Sequence, residues 1–540
     1  MIRLLLLAAG LAAALPSAAQ AHPADPQARF RQSPAVLARY ADVPVMLDAP
    51  ALTPGRRSFT SQAELEAHLA RLARRSPRLH LGSLGVSTEG RALPYAVFTA
   101  EGLSDSAAIR ALNRPVVWLI GQQHGNEPAG GEALLAVASA LADGELSPLL
   151  TQVTVVIVPR ANPDGAAAAQ RRTSAGLDLN RDHLLASLPE TRAIQAGATV
   201  LPPDMVLDFH EYAAAGPWLS RFGVLAPWDA MFLHATHPSA PVGPARLAEQ
   251  TFRPAMERRL ARLGLSSHTF LAGPGAEAED GIVPTGGTAP GISRNYFGLT
   301  GAVSLLVETR GGDAGREAFQ RRVATHYLAA AAALEMAAAE APRLRRTVAE
   351  ARRQAAASRA PLPVGFTLRG EPATLTFIDS VTAADTPIQV ELRDARRTVV
   401  TATRARPAGY ILAPAAQGAV AALHVKGVRF CPAPRERLEV EAYRVTLRAG
   451  ASTGRREGIN PERLADVRLE RRSLTPLAGS IYVPMGQAAA AVIAALLEPD
   501  APGSRLAAAG SLDADGLAPV VRVPQGAPIT CEAEALSVAE

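Results

Sequence analysis

Five nearly continuous apolar runs between residues 95 and 308 are the feature that most constrains the fold of this 540-residue chain. The runs are YAVFTA (95–100), PVVWLI (115–120), VTVVIVP (153–159), MVLDF (205–209) and AVSLLVE (302–308). A strand with one face in water alternates apolar and polar residues, so continuous runs indicate strands that are covered on both faces. Helical segments lie between the runs. The alternation predicts a three-layer α/β/α domain with a mixed, largely parallel twisted sheet.

The pattern changes along the chain, and the changes predict five segments. Residues 1–21 combine Arg3, a short apolar stretch and a final Ala-Gln-Ala, which together predict a secretory signal peptide cleaved after Ala21. The apolar stretch is too short to span a bilayer, and no later run is long enough for a transmembrane helix. The other predicted segments are a proline-rich arm (22–57), the α/β domain (58–340), a helical linker (341–360) and a smaller β-rich C-terminal domain (361–540).

Three stretches are expected to form helices. A Ser-x-x-Glu capping box at 61–64 opens an amphipathic helix. Residues 315–360 are rich in alanine and arginine, and Pro342 is expected to break this long helix. Within the C-terminal domain, residues 486–499 are a helical exception among segments that alternate at the period of a strand.

The composition of the chain argues against nucleic acid as a partner and leaves the oxidation state of the cysteines open. The formal charge is +5, but the basic residues are scattered arginines and one lysine, Lys426. A nucleic-acid-binding surface would need these residues to be clustered. The two cysteines, Cys431 and Cys531, lie in the last quarter of the chain. In an exported protein they either close one disulfide or remain two buried thiols, and the sequence favours neither.

The loop after the run 115–120 contains a histidine and a glutamate three residues apart, in GQQHGNEPAGG. His124 and Glu127 could both bind one ion if the loop curls, because zinc accepts imidazole nitrogen and carboxylate oxygen. The pair alone is a weak signal, since most such pairs lie on surfaces. Its position after a strand strengthens it, because α/β sheets build their sites at the carboxyl ends of strands.

A catalytic zinc site needs three protein ligands and an open position for water, so a third ligand is expected at another strand end. His210 follows the run 205–209, and packing alone does not explain a buried histidine between Asp208 and Glu211. Three other histidines are predicted to be solvated or structural, namely His183, His234 and His237.

Two further segments carry candidate chemistry. Glu308 ends a very apolar run, where a glutamate is costly unless it is paired with Arg310 or acts as a general base. The loop 162–183 contains arginine and amide side chains that suit capture of a carboxylate. The alternative for that loop is a solvated segment with incidental arginines.

Taken in order, HGNE, NPDG, GLDLNRD, LDFHEY and LLVETRG resemble the motifs of the zinc carboxypeptidase family, which includes carboxypeptidases A and B and their bacterial relatives. The segment LGVSTEGRALPYAVFT (84–99) also resembles the opening hairpin of that family. The resemblance covers roughly residues 58–335. It implies one zinc ion and hydrolysis of the last peptide bond of substrates that have a free C-terminal carboxylate.

The resemblance also implies roles for individual residues. His124, Glu127 and His210 would be the zinc ligands, and Asp178 would orient the first histidine. Glu308 would be the general base and acid that activates water and then protonates the leaving amine.

The substrate contacts follow from the same motifs. Asn180 and Arg181 would bind the terminal carboxylate of the peptide. Arg171 best fits the arginine that stabilises the oxyanion, and Arg172 is a rival shifted by one residue.

Two positions depart from the family pattern. Related enzymes carry a mobile tyrosine roughly twenty residues before the catalytic glutamate, whereas Tyr296 lies twelve before Glu308. Tyr296 is the substrate-binding candidate in that region. Glu211 stands where the family usually has a small residue. Residues 285–296 are expected to line the specificity pocket, and Arg294, if it lined that pocket, would favour acidic terminal residues.

The function indicated is an exported zinc metallocarboxypeptidase, periplasmic or secreted, acting on peptides that include cell-wall peptides. One alternative is a zinc amidohydrolase for N-acyl amino acids, of the aspartoacylase or succinylglutamate desuccinylase kind. Another is an inactive peptide-binding module. The NPDG turn, the export signal and the additional β domain favour the first function, and the complete ligand set argues against the third. Neither nucleic acid nor stable membrane insertion is expected.

Overall fold

The computed structural model of the protein describes residues 29–273, 281–447, 465–501 and 517–527, with Ile529 and Cys531. The predicted signal peptide, residues 1–21, lies outside the described residues. Among the helices that are described, none is long and apolar enough to cross a membrane.

The described strands and helices are numbered in chain order. The strands are β1 (Leu79–Val86), β2 (Ala92–Phe98), β3 (Val116–Gly121), β4 (Thr154–Val158), β5 (Met205–Tyr212), β6 (Val224–Leu225), β7 (Ala230–His234), β8 (Ser267–Thr269), β9 (Ile282–Pro284), β10 (Val303–Arg310), β11 (Leu362–Asp379), β12 (Asp385–Arg404), β13 (Gly409–Leu412), β14 (Cys431–Pro432), β15 (Leu438–Leu447), β16 (Ala465–Leu474), β17 (Ile481–Pro484) and β18 (Leu517–Val523). The helices are α1 (Pro34–Ala38), α2 (Gln62–Arg75), α3 (Ser106–Ala111), α4 (Pro128–Ala142), α5 (Pro163–Ala167), α6 (Pro189–Val200), α7 (Gly216–Phe222), α8 (Val242–Leu247), α9 (Arg253–Ala261), α10 (Ser293–Leu299), α11 (Phe319–Ala339), α12 (Ala341–Ala357), α13 (Gln417–Val425) and α14 (Ala490–Leu497).

An eight-stranded sheet forms the centre of the molecule, in the order β1-β2-β4-β3-β5-β10-β7-β8. The four central strands β4, β3, β5 and β10 are parallel to one another, whereas β2 and β7 pair with the outer two, β4 and β10, in antiparallel orientation. The predicted mixed, largely parallel sheet is therefore confirmed. Each of the five apolar runs overlaps one of its strands.

Helices cover both faces of this sheet, which explains why the apolar runs are continuous. Val117 and Leu119 of β3 pack into one core with α2, α4 and α11, and the intervening Trp118 and Ile120 pack into a second core. That second core contains α10 and α14 together with residues of the C-terminal sheet. The three-layer α/β/α arrangement expected from the sequence is confirmed.

The helix signals in the sequence correspond to observed helix ends. Ser61 and Glu64 form both hydrogen bonds of the capping box at the start of α2. The long alanine-rich segment is divided between α11 and α12 at Glu340, and Pro342 lies in the first turn of α12, where its missing N–H costs nothing. The helix expected within 486–499 is α14.

The region after residue 361 is rich in β-structure and begins with a long hairpin, β11–β12. This hairpin pairs with β6 on one side and β9 on the other, so it extends two short strands of the preceding region. A second, six-stranded sheet follows in the order β14-β17-β13-β18-β15-β16, with antiparallel pairs throughout. Cys431 of β14 forms a disulfide with Cys531 across a Cα–Cα distance of 5.7 Å, which decides between the two states left open by the sequence.

Candidate metal centre and active-site cavity

Three neighbouring strands bring the candidate ligands to one edge of the central sheet. β3 ends at Gly121, and the following loop carries His124 and Glu127 before Pro128 begins α4. β5 continues beyond its apolar run as far as Tyr212, so His210 lies within the strand rather than after it. The parallel register places His210 opposite Glu308 of β10.

The three candidate ligands converge on one point. One ligand atom from each of His124, Glu127 and His210 lies within 4.8 Å of the other two, and all three residues are buried. Nδ1 of His124 is 2.9 Å from Glu127 Oε1, and Nδ1 of His210 is 3.0 Å from Glu127 Oε2. The two Nδ1 atoms are themselves 3.0 Å apart. We call these three residues the ligand cluster.

The contacts on the far side of each imidazole fit a metal site. Nε2 of His124 is 3.1 Å from Asp178 Oδ1, and Nε2 of His210 is 3.0 Å from Asp208 Oδ1. A carboxylate at Nε2 holds the proton there and leaves the Nδ1 lone pair directed at the cluster, as in most histidines that bind metals. Two nitrogen lone pairs and one carboxylate therefore face a common point, and a zinc ion fits this donor set.

The loop that carries the cluster is held close to the NPDG turn. A Cβ atom on Gly125 would lie 1.9 Å from the backbone carbon of Gly165, so only glycine permits this approach. Asn162 caps α5 by accepting a hydrogen bond from Gly165 N at 2.9 Å, and its amide reaches the carbonyl of Gln123 at 3.2 Å. The NPDG motif thus supports the curled loop next to His124.

Arg171, rather than Arg172, lies at the ligand cluster. Its Nε and Nη2 atoms are 3.1 and 2.9 Å from Asp178 Oδ2, and Nη1 is 3.3 Å from Glu127 Oε1. Its side chain is 42% exposed, so one side of the guanidinium faces the cavity above the cluster. Arg172 donates to the carbonyl of Gly176 at 3.0 Å and does not line the cavity among the described residues.

Asn180 and Arg181 line the same cavity from a short turn that follows Asp178. Asp178 Oδ1 accepts a hydrogen bond from Asn180 N at 2.9 Å, and Asn180 Oδ1 accepts one from Ser293 N at 2.8 Å. Arg181 Nη1 donates to the carbonyl of Asn180 at 2.7 Å. Asp178 therefore connects the ligand cluster to the segment that presents these two side chains.

Glu308 faces the cavity and is only 8% exposed. Burial raises its pKa to about 8, although the nearby His210 opposes the shift. The alternative salt bridge with Arg310 is not formed among the described residues. Arg310 instead donates to the carbonyl of Ala226 at 2.9 Å, and its guanidinium lies 4.0 Å from the centre of the Tyr40 ring.

The electrostatics of the other buried acids match these contacts. Burial raises the pKa of Glu127, but the adjacent His124 and His210 outweigh this effect and hold that pKa well below its ordinary value. Burial also raises the pKa of Asp178, but His124 and Arg171 outweigh this effect and keep the pKa of Asp178 well below its usual range. Both carboxylates are thus ionised at neutral pH and available to a cation.

The cavity has a volume of about 700 Å³. The site residues on its wall are His124, Glu127, Arg171, Asn180, Arg181 and Glu308, with Arg294 beside them. Part of the rim comes from the arm, where Arg29 and Phe30 hold their place by backbone hydrogen bonds to the Asp313 carbonyl. The sequence carried no signal for this contact, because it joins residues almost 300 positions apart.

Tyr296 is a correction to the sequence-based expectation. It is not among the described residues that line the cavity, and its ring packs on Phe297 and lies 5.4 Å from Lys426 Nζ. Tyr296 and Arg294 both belong to α10, and a separation of two residues turns a helix by about 200°. Because Arg294 lines the cavity, Tyr296 is directed to the opposite side, into the second core.

The remaining polar residues near the site have structural contacts. Glu211 accepts a hydrogen bond from Ala129 N at 2.9 Å and forms an ion pair with the buried Arg322. These contacts explain why a buried carboxylate is tolerated at the position after His210. Gln123 links His183 to Asp208, with His183 Nε2 2.7 Å from Gln123 Oε1. The three histidines set aside in the sequence lie outside the ligand cluster: His183, His234 and His237.

The chain is similar to known carboxypeptidases. A family model described as zinc carboxypeptidase matches residues 65–212. Carboxypeptidase 2 of Trichophyton rubrum is 28% identical over 453 residues, which is 83% of this chain and 83% of that protein. Carboxypeptidase E of Caenorhabditis elegans is 32% identical over 199 residues, covering 28% of this chain and 41% of that protein. The crystal structure of a metallo-carboxypeptidase from Burkholderia cenocepacia is similar at 21% identity and a TM-score of 0.40, over 52% of this chain and 70% of that chain.

A buried His-Glu-His cluster at the carboxyl edge of an α/β sheet has the donor set of a zinc site. Residues 65–212 match the zinc carboxypeptidase family, whose members bind one zinc ion, and the enzyme is a metallocarboxypeptidase. The matched range contains the ligand cluster and Asp178, whereas Glu308 and Arg294 lie beyond it.

Proposed function

We propose that the enzyme is exported, to the periplasm or the medium, and removes the C-terminal residue of peptides, including cell-wall peptides. The observation that carries this proposal is the cavity, which is lined by His124 and Glu127 of the ligand cluster, by Glu308 and by the pair Asn180–Arg181. A metal site, a proton acceptor and a carboxylate receptor within one cavity are the parts that hydrolysis of a terminal peptide bond requires.

His124, Glu127 and His210 would hold the zinc ion, with Asp178 and Asp208 orienting the two imidazoles. When bound, zinc supplies a Lewis acid that polarises a carbonyl and lowers the pKa of water. Asn180 and Arg181 bind the terminal carboxylate of the substrate, and this contact fixes the last peptide bond over the cluster.

Glu308 accepts the proton of the attacking water and then transfers it to the nitrogen of the leaving amino acid. A pKa raised towards neutrality suits both steps, because the group must gain and lose the proton in one cycle. Arg171 donates hydrogen bonds to the carbonyl oxygen as negative charge develops on it. Asp178 and Glu127 hold the Arg171 guanidinium in place before substrate arrives.

Two features support a peptide rather than an N-acyl amino acid as the substrate. The cavity of about 700 Å³ extends to a rim formed by Arg29, Phe30 and Trp218, which leaves room for residues on the amino-terminal side of the scissile bond. The relatives of similar length are carboxypeptidases. The complete ligand cluster and the buried Glu308 argue against an inactive binding module.

Export and the division of the chain are part of the same proposal. The disulfide between Cys431 and Cys531 supports an oxidising compartment. We expect cleavage after Ala21, an arm at 22–57, a catalytic domain at 58–340, a linker at 341–360 and a C-terminal domain at 361–540. Amino-terminal sequencing of the protein recovered from the periplasm or medium should begin at His22, and a start at Met1 would contradict export.

Blocked dipeptides and N-acyl amino acids, assayed with the same zinc-loaded protein, test the reaction. We expect turnover of the dipeptides, its loss with a chelator, and its recovery when zinc is restored. Turnover of the N-acyl amino acids alone would identify the amidohydrolase. Absence of zinc from the purified protein, with Glu308→Gln indistinguishable from the wild type, would identify a binding module.

A further inference from the structure

Arg294 is a buried arginine that has no carboxylate partner among the described residues. It is 2% exposed, and its Nε atom has no hydrogen-bond partner among the described residues. Nη2 donates to the carbonyl of Gly287 and to Thr236 Oγ1, which are neutral acceptors. Buried Arg322 and half-buried Arg404, by contrast, pair with carboxylates. A guanidinium desolvated in this way is costly unless an anion completes the site.

The uncompensated charge lies on the wall of the substrate cavity. Arg294 and Arg181 both line this cavity, as do Ile292 and Glu308. Burial lowers the pKa of Arg294 to about 9, and the positive charge of Arg181, which lines the same cavity, acts in the same direction. An anionic group entering this part of the cavity would relieve both the desolvation and the repulsion.

The loop in front of Arg294 is shaped to leave its guanidinium accessible from the cavity. Gly286 has a φ of +81°, and a Cβ there would lie 3.1 Å from Arg294 Nη2 and 2.7 Å from Leu233 Cδ2. Glycine is therefore required both for the backbone conformation and for the space. Gly286 and Gly287 line the cavity beside the guanidinium.

The β11–β12 hairpin holds this loop in position. Thr285 N donates to the carbonyl of Arg393 at 3.0 Å, and Thr285 Oγ1 donates to Asp394 Oδ1 at 3.0 Å. The Oγ1 atom also accepts from Ala395 N at 2.8 Å. Since β12 pairs with β9 immediately before the loop, the C-terminal region fixes the wall that carries Arg294.

We propose that Arg294 binds the side-chain carboxylate of an acidic C-terminal residue, so that the enzyme prefers peptides ending in glutamate or aspartate. This inference rests on the proposed function, in which Asn180 and Arg181 take the α-carboxylate. An acidic terminal residue carries two carboxylates, which match the two guanidinium groups on one wall. A basic residue would meet like charge, and an apolar one would leave Arg294 buried and uncompensated.

Glutamate and glutamine as the terminal residue give the sharpest test, because they have nearly the same shape and differ in charge. With the zinc-loaded enzyme and blocked dipeptides of one common penultimate residue, kcat/KM should be on the order of 10²-fold higher for glutamate than for glutamine. Leucine, phenylalanine and arginine complete the panel. Equal values for glutamate and glutamine, or a higher value for any residue other than glutamate or aspartate, would overturn the proposal.

Arg294→Gln should reduce the glutamate-to-glutamine ratio to within about threefold of one. Arg294→Lys, which keeps a charge without the planar fork, should give an intermediate ratio. Arg352→Gln is the matched control, because Arg352 also donates to backbone carbonyls but lies outside the cavity, and it should keep the wild-type ratio. If Arg294 had a purely structural role, the variant would lower kcat/KM equally for all substrates and leave the glutamate-to-glutamine ratio unchanged. That result would also overturn the proposal.

The failure of this inference can be distinguished from failure of the proposed function. Hydrolysis of peptides with another terminal preference contradicts the inference and leaves the carboxypeptidase reaction standing. If no peptide is hydrolysed, the proposed reaction fails, and titration calorimetry with free L-glutamate and L-glutamine still tests Arg294. Tighter binding of L-glutamate would support the carboxylate site, and equal binding would contradict it.

Discussion

Two clusters of buried charge in this molecule are arranged in opposite ways. The ligand cluster places two imidazoles and a carboxylate around one point at the edge of the central sheet. A second group, which we call the arginine cluster, joins the C-terminal strands to the segment after α14. Its members are Arg404, Tyr410, Glu498, Asp500 and Arg522.

Charges in the arginine cluster are paired with each other. Arg404 forms a bidentate contact with Asp500, with both N–O distances at 2.8 Å, and also donates to Glu498. Glu498 accepts from Tyr410 at 2.7 Å and lies 3.2 Å from Arg522. Each guanidinium faces a carboxylate, so nothing further is required and the cluster stabilises the packing of its strands.

The ligand cluster differs because its groups converge rather than pair. The Nδ1 atoms of His124 and His210 lie 3.0 Å from each other, and His124 lines the cavity that Arg294 also lines. Buried charges that satisfy one another indicate a structural role, whereas buried groups that face a common space indicate a ligand. Four predictions test that distinction.

Glu308→Gln should have the largest effect, and on activity alone. Removing the proton acceptor should lower kcat on the order of 10³-fold, because glutamine is nearly isosteric but cannot take a proton. The thermal midpoint and the zinc content should stay at wild-type values, since Glu308 has no ion pair to lose among the described residues. Steady-state kinetics with metal analysis measures both, and retention of a tenth of the activity would exclude Glu308 as the base.

Glu498→Ala should have the reverse effect, on stability alone. The change leaves Arg404 and Arg522 without one of their carboxylates and should lower the free energy of unfolding by about 3–5 kcal/mol. Urea denaturation measures the loss, and kcat/KM per folded molecule should not change. Glu350→Ala removes an exposed ion pair of α12 and should leave the midpoint nearly unaltered. An equal loss in both variants would show that burial of the arginine cluster is unimportant.

Asp178→Asn should weaken metal binding without removing a ligand. Asp178 holds the His124 proton at Nε2 and anchors Arg171, so its loss should raise the dissociation constant for zinc by about 10–100-fold. Competition with a chromogenic chelator measures this constant independently of turnover. An unchanged dissociation constant would mean that the orientation of His124 does not depend on Asp178.

The fold was largely predictable from the sequence because burial on both faces leaves a continuous apolar signature in a strand. The ends of strands were less predictable. β5 continues through His210 to Tyr212 because its register with β10 carries the hydrogen-bonded ladder through polar residues. The partners of the β11–β12 hairpin could not be predicted, since β6 and β9 are two and three residues long and show no periodicity.

The candidate site was predictable where it lies at strand ends and unpredictable where it depends on helix faces or long-range contacts. His124, His210 and Glu308 each follow or end an apolar run, so the topology brings them together. Tyr296 and Arg294 are two residues apart in α10, and the sequence alone does not say which one faces the cavity. The role of Asp208 was also missed, although its position two residues before His210 in a strand places both side chains on one face.

Lys426 tests the same distinction with the smallest expected effect. Its ammonium group is buried and has no hydrogen-bond partner among the described residues, and burial lowers its pKa to about 7. In the unfolded chain the ordinary pKa of lysine is about 10.4, so between pH 7 and 10 the unfolded state binds more protons and the wild type gains stability as pH rises. Lys426→Met should therefore raise the free energy of unfolding by about 1 kcal/mol at pH 6 and by less at pH 9, as measured by urea denaturation of both proteins at each pH. A gain of the same size at both pH values would show that the buried charge is not its cause.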